Sequence, residues 1–135
     1  MSHMHHIAIP ARREALASIE DEVDAFAGRH GISTQLRHRL SLVLEELAMN
    51  SVLHGNCPEG SLIEIWVQWH AQTVSGSHVE IRYLDCGIPF DPTRDIPERP
   101  ERDNGGWGWS MIRRFGDPID YERDAERNCI RVTLR

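Results

Sequence analysis

Three stretches of this chain alternate strictly between apolar and polar residues. In Leu62–His70, Ile63, Ile65, Val67 and Trp69 point one way, and Glu64, Trp66, Gln68 and His70 the other. Val79, Ile81 and Tyr83 oppose Glu80 and Arg82, and Ile130, Val132 and Leu134 oppose Arg131, Thr133 and Arg135. A period of two is the signature of strands with one buried and one wet face. Such strands fit an antiparallel or mixed sheet covered on one side only. Ser75-Gly76-Ser77 reads as the turn of a hairpin joining the first two runs. A short strand is expected from His5 to Ile9, ending at Pro10.

The covering layer is helical. Leu16, Ile19, Val23 and Phe26 have helical spacing within Glu14–Arg29, stopped near Gly31. A second helix is capped by Ser33, with Thr34 as the rival cap, and runs to Leu53 or His54, where Gly55-Asn56 and Pro58 end it. At 135 residues the chain is one domain with a real core. The expected fold class is therefore α+β: a two-layer sandwich, mixed and mostly antiparallel in its sheet, with helices on one face. Residues 1–6, Met-Ser-His-Met-His-His, read as a tag remnant or a disordered N-terminus.

Charge excludes several chemistries. All 15 basic residues are arginines, so there is no P-loop lysine, no Schiff base and no ordinary protein-kinase strand lysine. A net charge of −6 argues against a nucleic-acid partner, and no apolar run reaches the ~20 residues of a membrane span. Three cysteines, Cys57, Cys86 and Cys129, without C-x-x-C spacing fit reduced thiols and a cytoplasmic protein.

The second helix carries Glu46, Asn50 and His54 at i, i+4 and i+8, a polar stripe on one side of an otherwise apolar helix. An Asn carbonyl suits Mg²⁺ when phosphates supply the remaining charge, and a Glu one turn earlier can take a hydroxyl proton. An ordinary surface stripe fits the same pattern, and His54 fits a simple helix end. Glu45 faces about 100° away, toward solvent or a partner. Asp85-Cys86-Gly87 ends a strand; its carboxylate is a turn former or an acceptor for an adenine amine, and its glycine admits a flat ring. Gly105-Gly106-Trp107-Gly108 opens a helix-like run. It is a flexible loop or a phosphate cradle at a helix N-terminus, with Trp109, Ile112 and Phe115 as packing residues. Between these motifs, residues 88–104 hold four of the seven prolines, five acids and three arginines, the composition of a linker or lid.

In order and spacing, these segments resemble the GHKL (Bergerat-fold) ATPases. Glu46-x-x-x-Asn50-x-x-x-His54-Gly55 is similar to the N box, Asp85-x-Gly87 to the first glycine box and Gly106-x-Gly108 to the second. The Leu44–Asn50 run, the length and the short lid are most similar to the anti-sigma-factor serine kinases of the RsbW and SpoIIAB type. The resemblance implies a single kinase domain over 1–135 with an ATP lid over 88–104. It implies ATP and Mg²⁺ as cofactors, with Glu46 as catalytic base, Asn50 as Mg²⁺ ligand, and His54, Asp85, Gly87, Gly105, Gly106 and Gly108 around the nucleotide. Arg102, or Arg99, would reach the γ-phosphate, because the usual lid arginine position is Asn104. It further implies phosphorylation of a serine on a STAS-domain antagonist, sequestration of a sigma factor, and a homodimer. Where the family commonly has Gly-Thr before its last strand, Cys129-Ile130 stands, with Asn128 as a substitute for the missing hydroxyl. The departures make a sequestration module with weak or lost kinase activity, or an accessory ATPase of another pathway, the alternatives. The acidic run Glu20, Asp21, Glu22 and Asp24 reads as a solvated face or a partner surface.

Overall fold

A computed structural model describes residues 4–74, 76–94 and 112–135. Five strands form one sheet in the order β1-β2-β3-β5-β4: β1 (Met4–Pro10), β2 (Leu62–His70), β3 (His78–Asp85), β4 (Gly116–Asp124) and β5 (Arg127–Leu134). Every pairing is antiparallel, so among the described residues the mixed sheet of the expectation contains no parallel pair. Two helices, α1 (Ser18–His30) and α2 (Thr34–His54), form the second layer.

The alternation decides the faces. Ile63, Ile65 and Val67 of β2, Val79, Ile81 and Tyr83 of β3, and Ile130, Val132 and Leu134 of β5 are buried. They share one core with Ile19, Val23 and Phe26 of α1 and Leu36, Leu40, Val43, Leu44 and Leu47 of α2. Each such side chain contributes ~1.5–3 kcal/mol when fully buried, which is what holds the two layers together. Ser33 caps α2 as expected, its Oγ accepting from Leu36 N–H at 3.2 Å, and Gly31 ends α1 with φ 62°.

Several expectations change. The first helix is broken: a 3₁₀ turn at Arg13–Ala15 precedes α1, which starts at Ser18. Met4, His5 and His6 of the N-terminal tract belong to β1, pairing with Gln68, Val67 and Trp66. His6 also stacks on Trp66 at 4.4 Å. The acidic run on α1 is not a free face. Arg37 of α2 donates to Glu20 at 3.1 Å and Asp24 at 2.7 Å, and Glu22 lies 2.5 Å from His5 Nε2.

Strand β4 was not expected. Its apolar residues are few, Ile119 and Tyr121, and Pro118 lacks a ladder donor. The sheet accommodates this because β4 is an edge strand with a register irregularity between Gly116 and Ile119. Residues 112–115 form a helical turn in which Ile112 is fully buried, while Phe115 packs against the core. The chain turns from there into β4 at Gly116, where a Cβ would meet Val132 Cγ1 at 2.6 Å and the Ile112 carbonyl at 2.9 Å.

Candidate nucleotide-binding site

The C-terminal half of α2 meets the end of β3 and the start of β5. Asp85 and Asn128 are register partners on these two strands, and both are buried. Ser51, immediately after Asn50, donates to Asp85 Oδ2 at 2.5 Å. This bond joins the buried side of α2 to the strand-end carboxylate across 34 residues of sequence. The carboxylate only accepts, so it consumes the one Ser51 proton, and the Tyr83 hydroxyl at 2.5 Å must donate to Ser51 Oγ. The phenol has a single proton, so the Leu47 carbonyl, 3.0 Å from the Tyr83 hydroxyl, shares it with Ser51 Oγ. Burial, with Asp85 nearby, pushes the Tyr83 phenol well up and keeps it a donor.

Asp85 Oδ1 accepts from Asn128 Nδ2 at 2.9 Å and from Gly87 N–H at 3.1 Å. Asn128 is saturated. Its other amide proton goes to the Ile88 carbonyl at 2.7 Å. Its oxygen accepts from the Tyr121 hydroxyl at 2.6 Å, Phe90 N–H at 3.2 Å and Arg123 Nη1 at 3.2 Å. Arg123 also donates to the Gly87 carbonyl at 2.8 Å. Asn128 therefore serves Asp85 and the 87–90 segment, and has no capacity left for a ligand. Asp85 has some: three donors occupy a carboxylate with about four acceptor sites, leaving one on Oδ2. That remaining acceptor fits an exocyclic amine such as adenine's.

Gly87 has a packing reason as well. A Cβ there would lie 2.8 Å from the Gly55 carbonyl, backbone against backbone, and Ile88 N–H donates to the same carbonyl at 2.7 Å. The close approach is thus made to the end of α2. Cys57 sits at this junction, its thiol pushed up to about 11 by burial, then by Asp85 and Cys86.

Glu46 and Asn50 are half-buried on α2, and His54 is exposed at its end. Burial raises the Glu46 carboxyl above the ordinary glutamate value of 4.5, which moves it toward the range of a useful base. Glu45, expected to face solvent or a partner, instead meets Glu20 of α1, because α1 packs along that side of α2. Burial raises it first, followed by a hydrogen bond and charge from Glu20. Arg102, Arg99, Gly105, Gly106, Gly108 and Trp109 lie outside the described residues. Ser51, Arg123 and the Tyr83 hydroxyl were missed, since nothing in a sequence marks a buried serine as a bridge. Asn128 was singled out only as a substitute for the missing hydroxyl, a role for which its bonds to Asp85 and Ile88 leave it no free donor.

Residues 9–134 match the family model described as histidine kinase-like ATPase domain. No relative is found among curated protein sequences. The fold is similar to the RsbU and RsbW domains of Rv1364c from Mycobacterium tuberculosis, with a TM-score of 0.66, 16% identity, and coverage of 98% of this chain and 32% of that one. A blue-light activated histidine kinase domain from Erythrobacter litoralis aligns at TM-score 0.48 and 16% identity, over 93% of this chain and 61% of that one. The chain thus spans about a third of the mycobacterial protein and under two thirds of the second. With the family match running almost end to end, this chain belongs to the histidine kinase-like ATPase family.

Proposed function

We propose that the chain is an ATP- and Mg²⁺-dependent serine-protein kinase of the anti-sigma-factor type, acting on a STAS-domain antagonist and sequestering a sigma factor. The observation that carries this reading is the Ser51–Asp85 bond at 2.5 Å. It holds the helix bearing Glu46 and Asn50 against the carboxylate that would accept the adenine amine. Mg²⁺ would neutralise phosphate charge, which is most of what phosphoryl transfer requires. Asn50 offers a carbonyl oxygen to that ion. Glu46, half-buried and raised, would take the proton of the acceptor serine. Arg102 or Arg99, and Gly105, Gly106 and Gly108, would serve the phosphates, with His54 at the rim. The protein would act as a homodimer.

A second reading, a nucleotide-binding sequestration module with little transfer, is favoured by one feature. Cys129-Ile130 supplies no hydroxyl, and Asn128 is spent on Asp85. Incubating the protein with labelled ATP, Mg²⁺ and a STAS-domain protein encoded beside it separates the two. Phosphoserine on the STAS protein is the expected result. Binding of the nucleotide and of a sigma factor without transfer would favour the module.

A further inference from the structure

The opposite end of the β2–β3 hairpin carries a cluster that the nucleotide site does not use. His70 closes β2, His78 opens β3, and the two are register partners. Their rings stack at 4.7 Å and 15°. Glu80, two residues along β3, shares their face. Its Oε2 lies 3.2 Å from His70 Nε2 and its Oε1 3.7 Å from His78 Nε2. One donor atom from each of the three lies within 4.8 Å of the others, the one such grouping of His, Cys, Asp or Glu among the described residues.

Two details point to a ligand. His78 Nδ1 lies 3.2 Å from the Gly76 carbonyl. That oxygen only accepts, so in the neutral ring the proton is on Nδ1 and the Nε2 lone pair faces Glu80. Metal-ligating histidines are fixed in this way, the second ring nitrogen donating to a carbonyl or carboxylate. His70 Nε2 is buried and lies near Glu80 without hydrogen-bond geometry, so its hydrogen-bonding capacity is unmet.

We propose that His70, His78 and Glu80 form a binding site for a divalent transition metal of the zinc class. Two imidazoles and one carboxylate suit zinc far better than Mg²⁺ or Ca²⁺, which take oxygen ligands. Bond lengths of about 2.0–2.2 Å place tetrahedral ligands roughly 3.3 Å apart, so the side chains need to close by up to about 1.5 Å. The fourth position is left for water or a partner's side chain. Seven residues of extended strand put His78 about 23 Å from Asp85, so this site is distinct from the nucleotide site.

The test is titration of the nucleotide-free full chain with Zn²⁺ and Co²⁺. The background carries His3→Gln, His5→Gln and His6→Gln, so that the N-terminal imidazoles do not compete for the metal. One equivalent of Zn²⁺ should bind. Co²⁺ should give tetrahedral ligand-field absorption without a sulfur-to-cobalt charge-transfer band. His78→Gln and Glu80→Gln should each weaken binding by more than the ~10–100-fold typical of losing an outer-shell partner. His70→Cys should keep the metal and introduce the charge-transfer band, a gain of signal that an unfolded variant would not give. Unchanged affinity in His78→Gln, a charge-transfer band before any cysteine is introduced (which would place the metal at Cys57 or Cys86), or no binding in the background protein would overturn the proposal.

Discussion

At Asn128, one side chain satisfies donors and acceptors on four neighbours: Asp85, the 88–90 backbone, Tyr121 and Arg123. Asn128→Ala should therefore do more than remove a contact. It leaves buried polar groups unmatched, each costing ~1–3 kcal/mol, and frees the 87–90 segment. Urea denaturation should report a loss of at least that size, and calorimetry a weaker ATP complex. Glu46 gives a prediction with a definite sign. Its carboxyl is raised by burial, so the charged form is disfavoured in the folded state. The transfer rate should fall as pH drops through a value above 4.5, and that limb should vanish in Glu46→Gln. Burial of the charge costs stability above the folded pKa, and the cost is relieved as pH falls through it. Glu46→Gln should thus raise the Tm slightly at pH 7 while slowing transfer by ~10²–10⁴-fold. A wild-type rate in that variant would remove Glu46 from the role of base. Cys57, with its thiol at about 11, should alkylate far more slowly than a free thiol at pH 8, as mass spectrometry of a timed iodoacetamide reaction would show.

Between elements, two junctions matter. The first is Gly55 against Gly87, where backbone meets backbone. Gly87→Ala places a Cβ 2.8 Å from the Gly55 carbonyl, an atom that cannot rotate away. Overpacking of this kind costs ~1–3 kcal/mol, and the end of β3 should separate from α2, lowering both the unfolding midpoint and ATP affinity. Gly31→Ala is the control: its φ of 62° strains the backbone but its Cβ meets nothing, so stability should fall while ATP affinity holds. The second junction is Arg37 between Glu20 and Asp24. The hydrogen bond from Arg37 is the largest influence lowering the Glu20 carboxyl. The support this gives is present above the ordinary glutamate range and is lost as pH falls through the lowered value. Reversing Glu20 and Asp24 to Arg would face both against Arg37, so a slower partner association in that variant would report a loosened α1–α2 contact. Asp21, exposed and outside this clamp, is the cleaner probe of the acidic face.

For the molecule as a whole, the decisive measurement is calorimetry with ATP and ADP, with and without Mg²⁺. Binding strengthened by Mg²⁺ in the wild type and losing that dependence in Asn50→Ala is the expected outcome. No binding at millimolar nucleotide would sink the nucleotide-site reading altogether. Strand faces, the two helices of the second layer and the hairpin were legible because they follow from a period of two, a period of 3.6 and caps such as Ser33, all local properties. Glu46, Asn50, His54 and the strand-end Asp85 could be singled out for the same reason, as motifs contiguous in the chain, and the roles given to them are proposals. Strand β4 was not, since two apolar residues and a proline carry no strand signal; it exists because β5 offers an edge to pair with. The occupied acidic run was also invisible, being set by contacts with Arg37 of α2 and His5 of β1. The sequence by itself determined which residues are greasy, which turn, and which carry boxes of a known order. Only the tertiary structure decided that Ser51 and Asn128 would bond Asp85, with Tyr83 and Arg123 bonded to them in turn, and that two histidines would meet Glu80. Hydrogen bonds across 30 or 40 residues depend on where strands and helices come to rest, and no local pattern encodes that.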